Sequence, residues 1–309
     1  MTKQAIGPRR IILEPREVPL GGVRGMSVLR ALPHRNLPTI GAWCFLDRFG
    51  PDETRMRVEP HPHIGLQTVT WPLVGEIRHR DSLGSDADLR RGQLNLMTAG
   101  DGISHSEYSI GENPVPLDAL QFWVVLPESA RHGHGGFERH TDLPSHALTV
   151  TEGPDAAATV VLGEFAGVRS PATVHTPIVG AEIRLAAGSR STLPLQTSWE
   201  HAVMLVEGDA EVAEHGMSMN ELLYLGDSRQ GVEVSSAGGA LLFLLGGEPF
   251  EEDLVMWWNF AARTHDEISA ARDDWEAASP RFGIVHGHDQ RIPAPPLPPV
   301  RLMPRTRRI

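Results

Sequence analysis

Apolar residues in this chain come in short runs, filled with β-branched and aromatic side chains and broken by glycine, proline and polar turns. That rhythm predicts strands and turns rather than long helices, and places the chain in the all-β class. Residues 8–32, PRRIILEPREVPLGGVRGMSVLRAL, read as entry or edge strands, and TIGAWCFLDRFGPDE (39–53) as an apolar strand ending in a turn. LQTVTWPLV (66–74) is a third strand. Val74–Gly75–Glu76 then reads as a hairpin leading into IRHRDSLG. Arg90 to Gln93 form a turn before LNLMTAG, a strand bearing His105 follows, and ALQFWVVLP (119–127) is a strand buried on both faces. Residues 128–158 are polar and predict a long connection.

A second strand-rich block runs from Ala158 to Glu248 with the same beat. TVTWPLVGEIRHR (68–80) and AVMLVEGDAEVAEHG (202–216) are both strand, glycine turn, returning strand. The block reads as a structural copy of the first. From Glu248 the pattern changes: THDEI offers Thr264 or Asp266 as a helix N-cap, with Glu267 in the first turn. Ile268, Ala271, Arg272 and Trp275 recur at helical spacing, and the adjacent Trp257 and Trp258 read as packing residues or a pocket wall. IPAPPLPPVRLMPRTRRI (292–309) is proline-rich and basic, an extended tail expected to be disordered or to dock on a partner.

Length and charge narrow the classes. The chain has 309 residues, enough for about two domains, and a net charge of −11, which argues against a broad nucleic-acid surface. Its single cysteine, Cys44 in AWCFL, permits no intrachain disulfide and no thiolate cluster, and reads as a buried structural thiol. No apolar run approaches the ~18 residues of a membrane helix, and the N-terminus lacks a signal-peptide pattern. A cytoplasmic protein is expected.

The chemistry concentrates in residues 58–108. His61 and His63 form one i, i+2 pair, and His105 and Glu107 form another. On a strand that spacing puts both side chains on one face, whereas on a helix the two would diverge. Two neighbouring strands can therefore bring three imidazoles and a carboxylate to one metal ion. His132/His134 and His286/His288 repeat the spacing among glycines and read as loop histidines facing solvent; His79 reads as exposed or as supporting a ligand. In the second block, counting back from Gly208 by the Gly75-to-histidine spacing lands on Pro194 and Gln196, which are not useful ligands. Three imidazoles and a carboxylate suit Fe(II), Mn(II), Co(II) or Ni(II), and Zn(II) also fits.

HPHIGLQTVTWPLVGEIRHRDSLG, LRRGQLNLMTAGDGISHSE and GEPFEEDLVMWWNFAARTHDEI strongly resemble the pirin family of the cupin superfamily, over roughly Arg9 to Phe282. The resemblance implies a bicupin: two stacked antiparallel β-barrels and a short C-terminal helix. It divides the chain into a metal-carrying barrel at 1–140, a barrel without ligands plus the helix at 141–290, and the tail at 291–309. It also implies His61, His63, His105 and Glu107 as ligands of one divalent metal, Fe(II) first, with Mn, Co, Ni, Cu or Zn left open. Gln67 stands where the first pirin motif usually has glutamate, which bears on pocket polarity. Bacterial pirins resemble quercetin 2,3-dioxygenases. The expected substrates are thus a flavonol-like aromatic and O2, with Glu107 as ligand and as the base that deprotonates the flavonol. The alternative is an iron-dependent redox-sensing regulator acting through a protein partner. Neither reading expects direct nucleic-acid or membrane contact.

Overall fold

The computed structural model describes residues 7–19 and 27–308. The stretch 20–26 of the entry segment and the N-terminal residues 1–6 lie outside them. The described chain is all-β, with one α-helix at His265–Glu276 and a 3-10 turn at Pro280–Phe282. The expected barrels are not closed. Each half is instead a pair of antiparallel sheets, seven and four strands in the first and eight and five in the second.

The first large sheet runs Gly136–His140, Leu94–Thr98, Leu66–Val74, Val115–Val125, Trp43–Thr54, Ser27–Leu32, Arg16–Pro19. Facing it are Arg57–His63, Ile103–Ser109, Glu76–Asp81 and Asp86–Arg90. Val74–Gly75–Glu76 is therefore not a hairpin: Leu66–Val74 and Glu76–Asp81 belong to different sheets, and the chain crosses between them at Gly75. Gly75 has φ +82°, and a Cβ there would sit 2.4 Å from the Pro116 carbonyl oxygen. Gly208, at φ +79°, makes the same crossing in the second half, from Glu200–Gly208 to Glu211–Val212. The shared beat thus records a corner between sheets.

Three further expectations change. The turn expected near Gly50–Pro51 is a bend within one strand, which continues to Thr54. The polar connection 128–158 contributes edge strands to both halves, Gly136–His140 to the first and Ser145–Ala147 to the second. Pro8–Leu13 pairs with Leu222–Gly226, so the first strand lies across the expected division of the chain.

The largest apolar core lies between the two halves. Trp43, Leu46, Val69, Trp71 and Phe122 on the outer face of the first large sheet meet Met204, Leu222, Tyr224, Phe243 and Leu245 of the second. Polar groups cross the same seam: the Trp43 Nε1–H donates to the Val179 and Gly246 carbonyls, and Trp71 Nε1–H to Glu182. Cys44 is buried here as expected, and burial pushes its thiol up to about 12. The interior of the second half is mostly apolar, with Val203, Leu205, Leu223 and Leu242. The interior of the first half is left partly open, and the candidate chemistry sits there.

The tail is neither disordered nor free. Ile292 N–H donates to the Pro60 carbonyl, Trp275 Nε1–H to Ile292, and Arg305 N–H to Leu254. Arg307 reaches the seam, where its guanidinium pairs with buried Glu200 and donates to Tyr224 and to the Thr39 carbonyl. Thr264 is the N-cap of the helix, its hydroxyl accepting from Glu267 N–H, and Ile268, Ala271 and Trp275 are its buried face.

Candidate metal centre

The four-stranded sheet sets the register. His61 lies directly across from His105 on the neighbouring strand, and Glu107 directly across from His79 on the next. The pairing slips between His105 and Glu107, a bulge of the kind that re-aims side chains. His61, His63 and His105 present ring nitrogens within 4.8 Å of one another, all buried. Glu107 falls into a second such group, with His105 and His79. It lines the same cavity as the three histidines.

Hydrogen bonds fix which nitrogen each ring offers. The Nδ1–H of His61 donates to the Glu59 carbonyl at 2.9 Å, and that of His63 to the Asn259 carbonyl at 3.0 Å. His79 Nε2 lies 3.1 Å from Asp81 Oδ2, and His79 Nδ1 lies 3.3 Å from His105 Nδ1. The Asp81 carboxylate can only accept, so His79 carries its proton on Nε2. His79 Nδ1 then accepts from the Nδ1–H of His105, which leaves the His105 Nε2 lone pair free. The His63 and His105 Nε2 atoms are 3.1 Å apart. Three ring nitrogens brought this close form a donor set that fits a divalent metal.

Burial keeps the rings neutral. It brings His61 down to about 4, and holds His63 and His105 well below the ordinary histidine range, with His61 adding to both effects. Burial acts to raise Asp81, but its bonds to His79 and Ser85 outweigh it and hold the carboxyl below its usual range. Glu107 is raised by burial, against the opposing pull of His79 and the Thr70 hydroxyl. Thr70 Oγ1 lies 2.9 Å from Glu107 Oε1 and 3.1 Å from Gln121 Oε1, yet has one hydrogen. With Glu107 ionised, Thr70 donates to it. With Glu107 protonated, the carboxyl donates to Thr70, which turns its own hydrogen to Gln121.

The candidate ligands line a cavity of about 320 Å³. One wall is the stacked pair Phe45 and Trp123, with ring centroids 3.9 Å apart; Met256, Trp257 and Trp258 line it from the C-terminal segment. Arg30 and Asp47 form a bidentate pair at 2.7 Å within the lining. Trp257 and Trp258 are thus pocket wall as well as packing.

His79 is buried and supports His105, as one of its two readings expected. His132, His134 and His286 are exposed. His288 differs: its side chain is 2% exposed and bonds Ser106, Tyr108 and Glu59 on the strands that carry the candidate ligands. Gln67 does not touch the cavity; its amide donates to Thr98 and to the Thr173 carbonyl of the second half. Among the polar residues lining the cavity are Asp47 and Gln121, which no motif singled out. Asp81 had a visible signal in the i, i+2 spacing to His79. The Asn259 contact is made by backbone and had none. In the second half, Gln196 lines a separate cavity of about 480 Å³ beside His201 and Trp199.

Known proteins resemble this chain along most of its length. Residues 25–124 match the family model Pirin, and residues 180–283 match the Pirin C-terminal cupin domain. A Pseudomonas aeruginosa protein named "putative quercetin 2,3-dioxygenase" is 40% identical over 288 residues, covering 92% of this chain and 89% of its own length. A pirin-like protein of Caulobacter vibrioides is 31% identical and covers 92% of this chain and 99% of its own. The crystal structure of quercetin 2,3-dioxygenase from Acinetobacter baumannii superposes with a TM-score of 0.86 at 38% identity, covering 96% of this chain and 97% of that one.

Proposed function

The chain belongs to the pirin family, and from that premise we propose that it is a metal-dependent dioxygenase of the quercetin 2,3-dioxygenase type. The observation that carries the reading is the convergence of ring nitrogens of His61, His63 and His105 within a cavity walled by stacked aromatic rings. His61, His63 and His105 would hold one divalent ion with Glu107 as the fourth ligand, Fe(II) being the first choice. When bound, the ion supplies Lewis acidity toward the hydroxyl of a flavonol and redox-capable chemistry with O2.

The remaining work falls to the chain itself. Phe45, Trp123, Trp257 and Trp258 offer flat surfaces for a polycyclic aromatic and keep water from its reacting face. Asp47 and Gln121 offer acceptors to its hydroxyls. Glu107 takes the proton of the reacting hydroxyl, since burial raises its affinity for one. The Thr70 hydroxyl and Gln121 stabilise Glu107 in both protonation states.

Quercetin turnover by protein of known metal content tests the reading; metal-saturated protein that leaves quercetin unchanged would sink it. Removing two ligands with His61→Ala and His105→Ala should abolish metal uptake. Glu107→Gln separates ligand from base. An amide oxygen still coordinates but accepts protons poorly, so turnover should fall ~10²–10⁴-fold even at saturating metal. A fully metallated mutant as fast as wild type would remove Glu107 from the base role.

A further inference from the structure

Next to the metal cavity lies a surface groove of about 750 Å³ lined by Arg16, Arg35, Arg305, Arg308, His34 and Glu14, among others. Pro33 and Arg305 line both, so the groove and the metal cavity adjoin there. Arg30 continues the series inside the cavity, its guanidinium 4.4 Å over the Phe45 ring. Five arginines thus face two carboxylates, Glu14 and Asp47, along one approach to the metal ligands. Such crowding is unusual in a chain of net charge −11. Among the described residues, Arg35, Arg305 and Arg308 have no carboxylate partner within ion-pair distance. Among the described residues, Arg16 donates to the Pro33 carbonyl at 3.0 Å.

The fold forces this proximity. Arg305 N–H is bonded to the Leu254 carbonyl and Arg308 N–H to that of Asn36, so the tail lays its arginines beside the strand carrying Arg16. The groups feel one another: Arg16 is lowered by burial and then by Arg30 and Arg305, opposed by Asp47, and Arg305 is lowered by burial and then by Arg30. Positive charge concentrated at a cleft mouth focuses field lines and draws anions inward. A neutral flavonol would gain nothing from it.

We propose that this groove is the antechamber of the metal cavity and that the molecule it admits is an anion, an aromatic carrying a phenolate or carboxylate. The proposal rests on the reading of the cavity as an aromatic-substrate site and names the charge of that substrate. In this arrangement Arg35, Arg305 and Arg308 raise the local concentration of the anion, and Arg30 meets it beside Phe45.

The test uses unreactive probes and metal-free protein, so neither turnover nor coordination enters. Binding of 2-naphthoate and of its neutral counterpart 2-naphthamide is measured by calorimetry at low and high salt. At ~20 mM salt the carboxylate should bind about tenfold or more tightly than the amide, and the gap should close by ~500 mM as the charges are screened. Arg35→Gln combined with Arg308→Gln, two groove residues outside the cavity lining, should remove most of the gap and leave 2-naphthamide binding unchanged. Equal binding of the two probes at low salt, or a preference that survives both salt and the double substitution, overturns the proposal while leaving an aromatic cavity in place. Failure of both probes to bind overturns it together with the aromatic-site reading. Salt-sensitive binding of a decaglutamate peptide without binding of 2-naphthoate also overturns it, and makes the groove a protein-docking surface.

Discussion

His105 has both ring nitrogens committed, one toward the metal position and one to His79, whose own proton is held by Asp81. Phe137 stacks on His79 at 4.4 Å and fixes its plane. Asp81→Asn should therefore leave the fold intact, because an amide oxygen can still accept from Leu83 and Ser85 N–H, while weakening control of the His79 tautomer. Metal affinity, read by competition with a chelator, should fall ~10–100-fold. An unchanged affinity would show that His105 needs no such support. The neutral rings also predict a pH response of the metal-free protein. His61 titrates near 6.5 when unfolded and at about 4 when folded, so between those values only the unfolded chain takes up the proton. Stability should be level above pH ~6.5 and fall as the pH drops toward 4, by on the order of 3 kcal/mol from His61 alone. Denaturant melts across that range check the sign; greater stability at pH 5 than at pH 7.5 would refute it. At this scale the sequence was informative wherever function lies in side-chain spacing. The two i, i+2 pairs singled out His61, His63, His105 and Glu107, which the structure brings to one cavity. His288 was misread because its partners Glu59, Ser106 and Tyr108 lie about 180 residues or more away.

Between strands, the feature that places His79 beside the candidate ligands is the corner at Gly75. It turns the chain out of the large sheet so that the next strand can present His79 beside Glu107. Gly75→Ala adds a Cβ 2.4 Å from a backbone oxygen at a positive φ, and Gly208→Ala adds one 1.9 Å from the Gly239 oxygen. Each should cost about 1–3 kcal/mol in urea melts. The Gly75 change should in addition lower metal affinity, and the Gly208 change should not. Equal effects on metal would mean that Gly75 is merely a turn. The strands themselves were legible because alternation and β-branched runs are local. The hairpin error has a definite cause: strand, glycine, strand is the same local pattern whether the chain folds back within one sheet or crosses to another. Only partners distant in sequence, Val115–Val125 for one strand and Ile103–Ser109 for the other, decide between them.

For the molecule as a whole, the main apolar core is shared between the halves, which frees the interior of the first for polar side chains and a cavity. Arg307 ties the tail to that seam through Glu200, a fully buried carboxylate that also accepts from Gly41 N–H. Arg307→Ala leaves that charge without its cation and should cost toward the lower end of ~3–5 kcal/mol, since Arg307 is itself partly exposed. A melting temperature indistinguishable from wild type would show that the tail contributes no clamp. The duplicated halves were legible from the repeated strand rhythm and the family motifs. The docking of the tail was not, because a proline-rich segment looks alike whether it lies on a surface or in solvent, and its anchors are backbone bonds to Pro60, Leu254 and Asn36. The order in which these parts are made has its own consequence. The chain has produced all four candidate ligands once it reaches Ser109, but the Asn259 carbonyl that orients His63, the roof at Trp257 and Trp258, and Arg305 at the rim are synthesised last. The residues that close the site thus join the chain only after all of its candidate ligands, so a chain cut short before Trp257 would hold the four side chains without roof or rim.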